Sequence, residues 1–541
     1  MRKKRRFKGL RKEGPDSSYD VIIIGAGIGG LICANLLQRD GLRVLMIEQH
    51  YMAGGYCSTF RRKGYTFDAA THFYPLLGNP STMTGKLLLD LEIDTGWIKM
   101  DPIDTFHFPD GDRFVVPGDF RDYRAELDRL FPHEKENISE FFATVREVYL
   151  LGLLAYFRGR ETARLDDFRD WTVQDALNRF FRDPKLKLLL TADSPHWGSP
   201  PYRTSFVFDS MLRLSYFLGN YYPVEGSQAF ADTLAMRFEE AGGHLMMSTY
   251  AEEILVENGR ACGVLMETDR GVLKGKRRID AKTIISNADM RLTAEKLLRP
   301  EHVDPKYLQA VQGMRCSYPC FLTHIGLEGV SHEAIDEIQG YYWNSWNTEI
   351  VGRNGLLCKI FSPTVYEPRM APDGGQIIIL QKVIEMDYDG VTDWAEHKQG
   401  IEDYMVRHLE RVLPGVSDRI VVKTSASALT SYRFTLNQAG AMLGWEMAPD
   451  QLGLDRPGVI GPVKDLYMVG HWTQPGGGIT PVIVSAVEVA KLISGRAADK
   501  RVSSGILEHW RATEYAGDGA EQVAAAARRR ERMEQMISAL T

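Results

Sequence analysis

The sequence predicts an α/β fold, with a parallel sheet and a second domain of mixed helices and strands. Three segments, at residues 19–48, 226–288 and 466–493, combine strands with glycine turns and a helix, which is typical of α/β units. The chain has 541 residues, 44% hydrophobic and 25% charged, which suffices for two or three domains with sizeable cores. This composition excludes disordered, collagen-like and disulfide-rich chains.

The first segment begins with a β-branched run, Val21–Ile24, which is typical of a strand buried on both faces of a parallel sheet. A GxGxxG turn follows, with glycines at 25, 27 and 30. Gly25 allows the sharp turn, Gly27 admits a pyrophosphate against the backbone, and Gly30 lets helix and strand pack closely. Gly29 lies in the same turn and is a further predicted contact. The N-terminus of the next helix offers free N–H groups to phosphates.

The next strand, Val44–Ile47, ends at Glu48, which lies 18 residues after Gly30. A carboxylate at this place accepts hydrogen bonds from a ribose diol and disfavours a 2′-phosphate. Strand, turn, helix, strand and acid together therefore predict a Rossmann-type dinucleotide site, with NADP as a less favoured occupant.

Ala53-Gly54-Gly55 follows shortly after Glu48, and a basic pair with GYTFDAATHFY comes next at 61–74. Glu48 with Gly54 and Gly55 resembles the extended FAD fingerprint of the carotenoid desaturase, carotenoid isomerase and retinol saturase superfamily, which is similar to amine oxidases. The run RVLMIEQHYMAGGYCSTF is most similar to retinol saturases, FPHEKENI at 131–138 to carotene isomerases, and the C-terminal segment to bacterial carotene desaturases. The resemblance covers nearly the whole chain and implies FAD as cofactor and an amine-oxidase-like fold, in which the sheet is assembled from separated segments.

The second segment predicts an amphipathic helix near 228–241, which Gly242-Gly243 ends, and a hairpin around Glu257-Asn258-Gly259. By the resemblance, this region cradles the adenine side of FAD. Thr283–Ala288 is similar to the family's strand-to-loop return to the dinucleotide, and Asn287 in it is a predicted cofactor contact.

The third segment predicts a strand at Leu466–Val469 and an apolar helix from about Pro481. By the resemblance, the N-terminus of this helix points at the flavin ring and the ribityl chain, where its dipole favours reduced flavin. The predicted cofactor contacts here are Gly470, Gly477, Gly478 and Ile479.

These segments divide the chain into four predicted parts. They are a basic tail (1–18), an FAD-binding domain (19–100, 225–300 and 440–500), a substrate domain (101–224 and 301–439) and a C-terminal helical extension (501–541). No second GxGxxG is present, so no dedicated nicotinamide domain is predicted. Electrons would then pass to or from oxygen, a quinone or another carrier, or no net electrons pass at all.

The charge is unevenly distributed. Residues 1–12 carry eight basic side chains and no acid, so the rest of the chain has a net charge of −14 against −6 overall. This argues against a nucleic-acid binder and leaves the tail as a contact for an anionic membrane surface, or as a merely solvated segment. Six scattered cysteines without a CxxC pair predict a reducing compartment and no metal site.

Two apolar stretches, 148–157 and 206–224, are too short or too charged to cross a bilayer. They predict either ordinary core helices or the mouth of an apolar tunnel that lies on the membrane. With the basic tail, they predict a cytoplasmic protein that is peripheral on the membrane. The sequence does not determine the oligomeric state.

Four side chains are candidate catalytic residues: His72, Arg433, Glu446 and His471. All four are expected near the flavin ring, and the family pattern places the SYRF…GWE segment, which holds Arg433 and Glu446, beside the flavin. The alternatives are a satisfied core histidine at His72, a buried structural ion pair between Arg433 and Glu446, and a simple FAD contact at His471.

The resemblance implies an FAD-dependent oxidoreductase that acts on carbon–carbon bonds of a polyene isoprenoid, with carotenoid desaturation or saturation as the leading reaction. Cis–trans isomerisation by reduced FAD is one alternative, and a retinol saturase-like or amine-oxidase-like flavoenzyme is another. A non-enzymatic prenyl-lipid binding protein of the dissociation-inhibitor type is the alternative outside enzymes.

Overall fold

A computed structural model describes residues 14–158, 162–192, 194–268, 274–346, 356–384 and 393–495. Most of the predicted basic tail, at 1–13, and the predicted extension at 501–541 lie outside the described residues. The strands, in chain order, are β1 (Ser18–Ile24), β2 (Val44–Ile47), β3 (Thr59–Arg62), β4 (Tyr65–Asp68), β5 (Trp97–Lys99), β6 (Asp104–His107), β7 (Arg113–Val116), β8 (Tyr221–Pro223), β9 (His244–Met246), β10 (Thr249–Glu257), β11 (Arg260–Thr268), β12 (Gly275–Ser286), β13 (Cys320–Glu328), β14 (Gly340–Trp343), β15 (Leu356–Phe361), β16 (Gly375–Val383), β17 (Ile420–Ala426) and β18 (Leu466–Met468).

The α-helices connect these strands and cover their faces. They are α1 (Ile28–Arg39), α2 (Met83–Asp90), α3 (Phe120–Leu130), α4 (Lys135–Arg158), α5 (Ala163–Arg169), α6 (Val173–Phe180), α7 (Pro184–Leu189), α8 (Phe206–Tyr216), α9 (Ser227–Glu240), α10 (Met290–Leu292), α11 (Pro305–Gly313), α12 (His332–Glu337), α13 (Trp394–Val412), α14 (Ala428–Thr435) and α15 (Ile479–Ser494).

The first sheet has the order β10-β11-β12-β1-β2-β9, with β18 paired to β12. The pairs β12–β1, β1–β2, β2–β9 and β12–β18 are parallel, and β10–β11–β12 are antiparallel. The core strands β1 and β2 are β-branched or apolar and almost fully buried, as strands covered on both faces must be. Helices α1, α9 and α15 pack on one face. The parallel α/β arrangement predicted from the sequence is confirmed.

The second sheet has the order β17-β13-β16-β15-β14-β6-β7 and is antiparallel except for the β14–β6 pair. One core, on the side of α4 and α8, contains Phe106, Phe141, Phe206 and Tyr341. A second core beside α13 contains Met405 and Leu409. The second sheet and these helices come from the segments that separate the pieces of the first sheet.

Candidate functional site

A cavity of about 670 Å³ runs between the two sheets. At one end it is lined by the carboxyl ends of β1 and β2, with Gly25 and Glu48. At the other end it is lined by α4 and α8, with Tyr149 and Phe208. We call the first part the nucleotide end and the second part the chamber.

The glycine turn after β1 lies at the nucleotide end, and α1 begins within it, at Ile28. Gly25 has φ +96°, and a Cβ on Gly30 would lie 2.3 Å from the carbonyl oxygen of Gly25. A Cβ on Gly27 or Gly29 would lie 2.9 or 2.8 Å from the side-chain amide of Asn287. Only glycine fits these positions, so the backbone stays open toward the cavity.

Glu48 lies at the end of β2 and lines the cavity. Its Oε2 accepts a hydrogen bond from the N–H of Ala26 (2.7 Å), and its Oε1 accepts one from the N–H of His50 (2.8 Å). Burial raises the pKa of Glu48, and these two N–H groups, with that of Gln49, oppose that rise. The carboxylate is therefore held in one orientation, with further lone pairs available to a ligand.

Gly54 and Gly55 lie across the glycine turn. The N–H of Gly54 donates to the carbonyl of Ala26 (2.8 Å), and both glycines have positive φ, +117° and +59°. A Cβ on Gly54 would lie 2.4 Å from the carbonyl oxygen of Cys57. The sequence pair Gly54-Gly55 thus permits a close crossing of two backbone segments beside the cavity.

Asn287 joins the first and third segments of the site. Its Nδ2 donates to the carbonyl of Gly25 (3.3 Å), and a Cβ on Gly470 would lie 2.8 Å from its Oδ1. Asn287 follows β12, which pairs with both β1 and β18. Its amide therefore packs between two glycine turns that are 445 residues apart in the chain.

The third segment places a second helix N-terminus on the cavity. Gly470 follows β18 with φ +102°, and Gly478, with φ +100°, precedes α15. A Cβ on Gly477 would lie 2.3 Å from the carbonyl oxygen of Leu443, and Ile479 lines the cavity. Neither α1 nor α15 has a side-chain N-cap, although both helices begin at the cavity.

These features fit FAD. The uncapped N-terminus of α1 would meet the pyrophosphate, Glu48 would accept from the ribose, and the N-terminus of α15 would face the flavin. When bound, FAD would supply two-electron redox chemistry that side chains cannot provide.

His72 and His471 both line the cavity. His72 is 4% exposed, its Nδ1 donates to the carbonyl of Ala70 (3.1 Å), and its ring stacks on Phe361. Burial, reinforced by Lys359, lowers the pKa of His72 to about 3. Within the described residues its Nε2 has no hydrogen-bond partner. At neutral pH His72 is therefore an uncharged hydrogen-bond acceptor.

His471 lies in the loop between β18 and α15. Burial, with the nearby guanidinium of Arg456, lowers the pKa of His471 to about 3. Arg456 is itself buried and donates to the carbonyls of His471 (2.7 Å) and Thr473 (3.0 Å). Arg456 thus fixes the loop that presents His471 to the cavity.

Arg433 and Glu446 differ from expectation. Arg433 is exposed on α14, and Glu446 is fully buried in ion pairs with Arg203 (2.9 Å) and Arg315 (3.1 Å). Neither lines the cavity, and they do not pair with each other. The alternative of an ion pair between Arg433 and Glu446 is wrong, because the two arginines that neutralise Glu446 come from other segments, 243 and 131 residues away in the sequence.

Behind the wall of the chamber lies a hydrogen-bonded network that sequence reasoning missed. His196 lines the chamber, with its Nδ1 3.0 Å from the hydroxyl of Tyr216 and its Nε2 2.6 Å from that of Tyr341. Lys359 donates to Tyr341 (3.3 Å) and forms a buried ion pair with Asp104 (2.6 Å). Because the ammonium only donates, this order favours the Nδ1–H tautomer of His196. Burial, with Lys359, lowers the pKa of His196, so the ring is neutral.

His324 was also missed. It lies on β13 and lines the cavity, and its Nε2 donates to the carbonyl of Asp68 (2.9 Å). Asp68 in turn accepts from the hydroxyl of Tyr222 and from the N–H of Ser227. This cluster ties the second sheet to the elements around the first. A single histidine in a strand carries no sequence signal for such a contact.

The two apolar stretches predicted at 148–157 and 206–224 contribute α4 and α8. Leu153 and Met211 line the chamber, while Asp209 and Arg213 form a buried ion pair (3.0 Å). Val148 and Phe206 are fully buried. The described side chains of these stretches thus belong mainly to the core, which was one of the two expectations. Their inner faces form the chamber wall.

No helix among the described residues combines the length and the apolarity that a membrane crossing requires. No cluster of three or more His, Cys, Asp or Glu side chains in the same residues could hold a metal ion.

The profile of the family "Flavin containing amine oxidoreductase" matches residues 28–494. A neurosporene-forming phytoene desaturase of Rhodobacter capsulatus is 25% identical over 496 residues, covering 87% of this chain and 93% of the relative. A chloroplastic prolycopene isomerase of an Oncidium hybrid cultivar is 28% identical over 507 residues (88% and 84%), and an all-trans-retinol 13,14-reductase of Danio rerio is 25% identical over 512 residues (84% and 82%).

Among solved structures, an oxidoreductase of Methanosarcina mazei matches with a TM-score of 0.63 at 18% identity, covering 87% of this chain and 99% of that protein. At this identity the likeness concerns the fold alone, and it agrees with the arrangement of sheets described above.

Proposed function

Since the chain belongs to the flavin containing amine oxidoreductase family, we propose that its FAD exchanges electrons with carbon–carbon bonds of a polyene isoprenoid, with desaturation or saturation of a carotenoid as the leading reaction. The protein is an FAD-dependent oxidoreductase of the carotenoid desaturase, carotenoid isomerase and retinol saturase superfamily. The substrate and the direction of electron flow are the proposed part.

The observation that carries the proposal is the electrostatic character of the cavity. Apart from five histidines, the described residues that line it include one carboxylate, Glu48, and one guanidinium, Arg62, and neither belongs to the chamber. The lining histidines His72 and His471 are neutral at pH 7, since burial lowers the pKa of each to about 3. A chamber without charge suits an apolar chain and offers a protonated amine no counter-ion.

The chamber wall would bind and orient the substrate. Tyr149, Leu153, Phe208 and Met211 present apolar or aromatic surface, which would exclude water along the polyene. His196 is held between two tyrosine hydroxyls, so it offers a neutral ring in a fixed orientation. It would pass a proton by accepting one at Nε2 from Tyr341 while donating the Nδ1 proton to Tyr216, so that no net charge stays beside the polyene.

Redox-neutral cis–trans isomerisation is the second candidate function. It is favoured by the prolycopene isomerase relative, whose identity of 28% is at least as high as that of the desaturase relative. Isomerisation would require reduced FAD and the same uncharged chamber.

Location at a membrane is a further part of the proposal. A polyene isoprenoid partitions into lipid, so an enzyme that takes it up would work at a membrane surface. We propose a cytoplasmic protein that is peripheral on an anionic membrane, with the basic segment 1–12 as one contact.

The test is the visible absorbance of the flavin in the holoprotein under anaerobic conditions, with phytoene, lycopene isomers or retinol supplied in liposomes. Bleaching of oxidised flavin identifies a desaturation, and return of the oxidised-flavin absorbance from reduced protein identifies a saturation. Isomerised product that appears only with reduced flavin, without a change in absorbance, identifies the isomerase. Turnover of an amine with release of peroxide, and of no polyene, would overturn the proposal.

A variant pair sharpens this test. Met211→Asp places a charge in the chamber, and Leu89→Asp places the same charge at an exposed position on α2. We expect polyene-dependent absorbance changes to be lost in the first variant and kept in the second, with FAD bound in both. Unchanged polyene turnover in Met211→Asp would place the substrate elsewhere.

A further inference from the structure

The mouth of the cavity is marked by residues that line it and are also exposed. Arg62 of β3 and Phe434 of α14 are such residues, and Tyr51 and Tyr250 are further ones near the nucleotide end. The cavity therefore opens between the β3–β4 turn and α14.

Helix α14 presents apolar side chains to the outside. Leu429, Tyr432 and Phe434 are 48%, 48% and 47% exposed. The helix is nevertheless fixed in place, because Gln49 donates to the carbonyl of Phe434 (3.4 Å) and the His50 ring lies against the Phe434 ring (5.4 Å). Large exposed apolar side chains on a helix that is fixed in place indicate a surface that a partner or a membrane covers.

The same side of the mouth is basic. Arg61, Arg62 and Lys63 of the β3–β4 turn and Arg433 of α14 are exposed. In the described part of the chain, none of the four forms an ion pair with an acid. Lys63 instead donates to the carbonyl of Val421 (2.9 Å), at the start of the strand that leads to α14. These cations gather at the mouth although the chain beyond residue 12 has a net charge of −14.

We define the mouth face as the residues 61–63 of the β3–β4 turn and 429–434 of α14. We propose that the mouth face seats on an anionic lipid surface, so that the cavity opens into the bilayer. Exposed leucine and aromatic groups would enter the headgroup boundary while the neighbouring arginines and lysine meet lipid phosphates. The inference rests on the proposed function, since an apolar substrate gives the mouth a reason to open into lipid.

This assignment replaces α4 and α8 as the membrane contact. The described side chains of those helices are used by the core and by the chamber wall, so they have little apolar surface left for lipid. The membrane contact is instead made by a short helix and a turn that flank the opening.

The experiment is co-sedimentation of the full-length holoprotein with vesicles of phosphatidylcholine, with and without phosphatidylglycerol. Leu429→Ser with Tyr432→Ser removes the apolar part of the mouth face, and Arg61→Gln with Arg433→Gln removes two of its charges; none of these side chains lines the cavity. We expect each lost charge to weaken binding to the anionic vesicles about fivefold. The apolar pair should weaken binding to both vesicle types about tenfold or more.

Matched controls change the same chemistry elsewhere. Leu89→Ser with Ile460→Ser removes two apolar groups that are 60% and 68% exposed, and Lys296→Gln with Lys306→Gln removes two exposed charges. A chain whose basic residues at 2–12 are all changed to Gln isolates the tail. The proposal is overturned if the mouth-face variants bind vesicles as well as the Leu89/Ile460 and Lys296/Lys306 controls do. It is also overturned if only the tail variant loses binding.

A polyene dispersed in detergent separates this inference from the proposed function. Turnover in detergent that survives Leu429→Ser with Tyr432→Ser, together with loss of turnover from vesicles, supports both. If vesicle binding depends on the mouth face but no polyene is turned over, the proposed function is wrong and the lipid-binding role of the mouth face stands. If sedimentation velocity shows a dimer that these substitutions dissociate, the mouth face binds a second copy of the chain, and the lipid assignment is overturned.

Discussion

The nucleotide end and the chamber hold their polar groups in different ways. At the nucleotide end, main-chain N–H groups and glycines form most of the site, and Glu48 is fixed by the N–H groups of Ala26 and His50. Around the chamber, side chains hold one another, as in the Asp104–Lys359 pair behind its wall, whose members are 255 residues apart. The nucleotide end therefore depends on the absence of side chains, whereas the chamber depends on specific pairs of them.

The largest effect that separates the two ends is expected for Lys359→Met. Lys359 and Asp104 have side-chain exposures of 2% and 9%, so the substitution leaves a buried, unpaired carboxylate. We expect the free energy of unfolding to fall by about 3–5 kcal/mol. Chemical denaturation measures this, and FAD affinity of the folded fraction should be unchanged.

The double variant Lys359→Met with Asp104→Leu is the control for that prediction. It removes both charges and should recover most of the lost stability, since apolar replacement of a buried pair is often neutral. If the double variant is as unstable as Lys359→Met, packing of the lysine stem rather than charge pairing holds the chamber.

At the nucleotide end, Gly30→Ala should instead weaken FAD binding. The new Cβ would lie 2.3 Å from the carbonyl oxygen of Gly25, so the glycine turn must move. We expect the dissociation constant of FAD to rise about 100-fold, as overpacking by about 3 kcal/mol would produce. Flavin fluorescence titration measures it.

Gly400→Ala is the matched control, because nothing lies within 4 Å of a Cβ there, in the middle of α13. It should leave FAD affinity unchanged and stabilise the protein by about 0.5–1 kcal/mol. Equal FAD affinity in the Gly30→Ala and Gly400→Ala variants would remove the assignment of the glycine turn to the dinucleotide.

Glu48→Gln should have a smaller effect at the same end. A hydrogen bond to a charged group contributes about 1.5–3 kcal/mol, so we expect FAD to bind about 10- to 100-fold more weakly. Gln451→Ala, another buried polar position outside the cavity, is a control for general destabilisation. Unchanged affinity in Glu48→Gln would mean that the ribose lies elsewhere.

The smallest effect concerns pH and the chamber side of the cavity. Burial lowers the pKa of His72 to about 3 and that of His324 to about 4. The unfolded chain takes up protons on these side chains below about pH 6.5 and the folded chain does not, so the free energy of unfolding falls as pH falls from about 6.5 towards 4. Each histidine contributes about 1.4 kcal/mol per pH unit in that window.

His72→Gln should therefore reduce the pH slope of stability by about 1.4 kcal/mol per unit, measured by denaturant titration with excess FAD. The exposed His332→Gln is the matched control. An equal change of slope in both variants would contradict the prediction.

The same contrast explains what could be predicted from the sequence. The predicted strand Val44–Ile47 has the observed bounds, the helix predicted near 228–241 is Ser227–Glu240, and the predicted turn at 257–259 joins β10 and β11. Local patterns reach these elements because turn, strand and helix signals act over a few residues. The fold class is confirmed, while the cofactor contacts stay predictions that the glycine geometry supports.

The chamber network could not be predicted in this way. His196, Tyr341 and Lys359 meet through tertiary packing, and none of them has a neighbour in sequence that signals its partner. The same limit produced the wrong pairing of Arg433 with Glu446. Sequence spacing identifies main-chain sites better than side-chain networks, because glycine turns leave a local pattern and long-range pairs do not.

The position of β18 in the first sheet has a consequence for how the protein is made. β18 and α15 are synthesised after β1, β2, β9 and β12, yet β18 pairs with β12, and the Asn287 amide packs against Gly470. While the second domain is still being translated, the nascent chain has an open edge at β12 and lacks the loop and helix N-terminus that are predicted to contact the flavin. We therefore expect FAD to gain its full set of contacts only after residues 466–494 have left the ribosome.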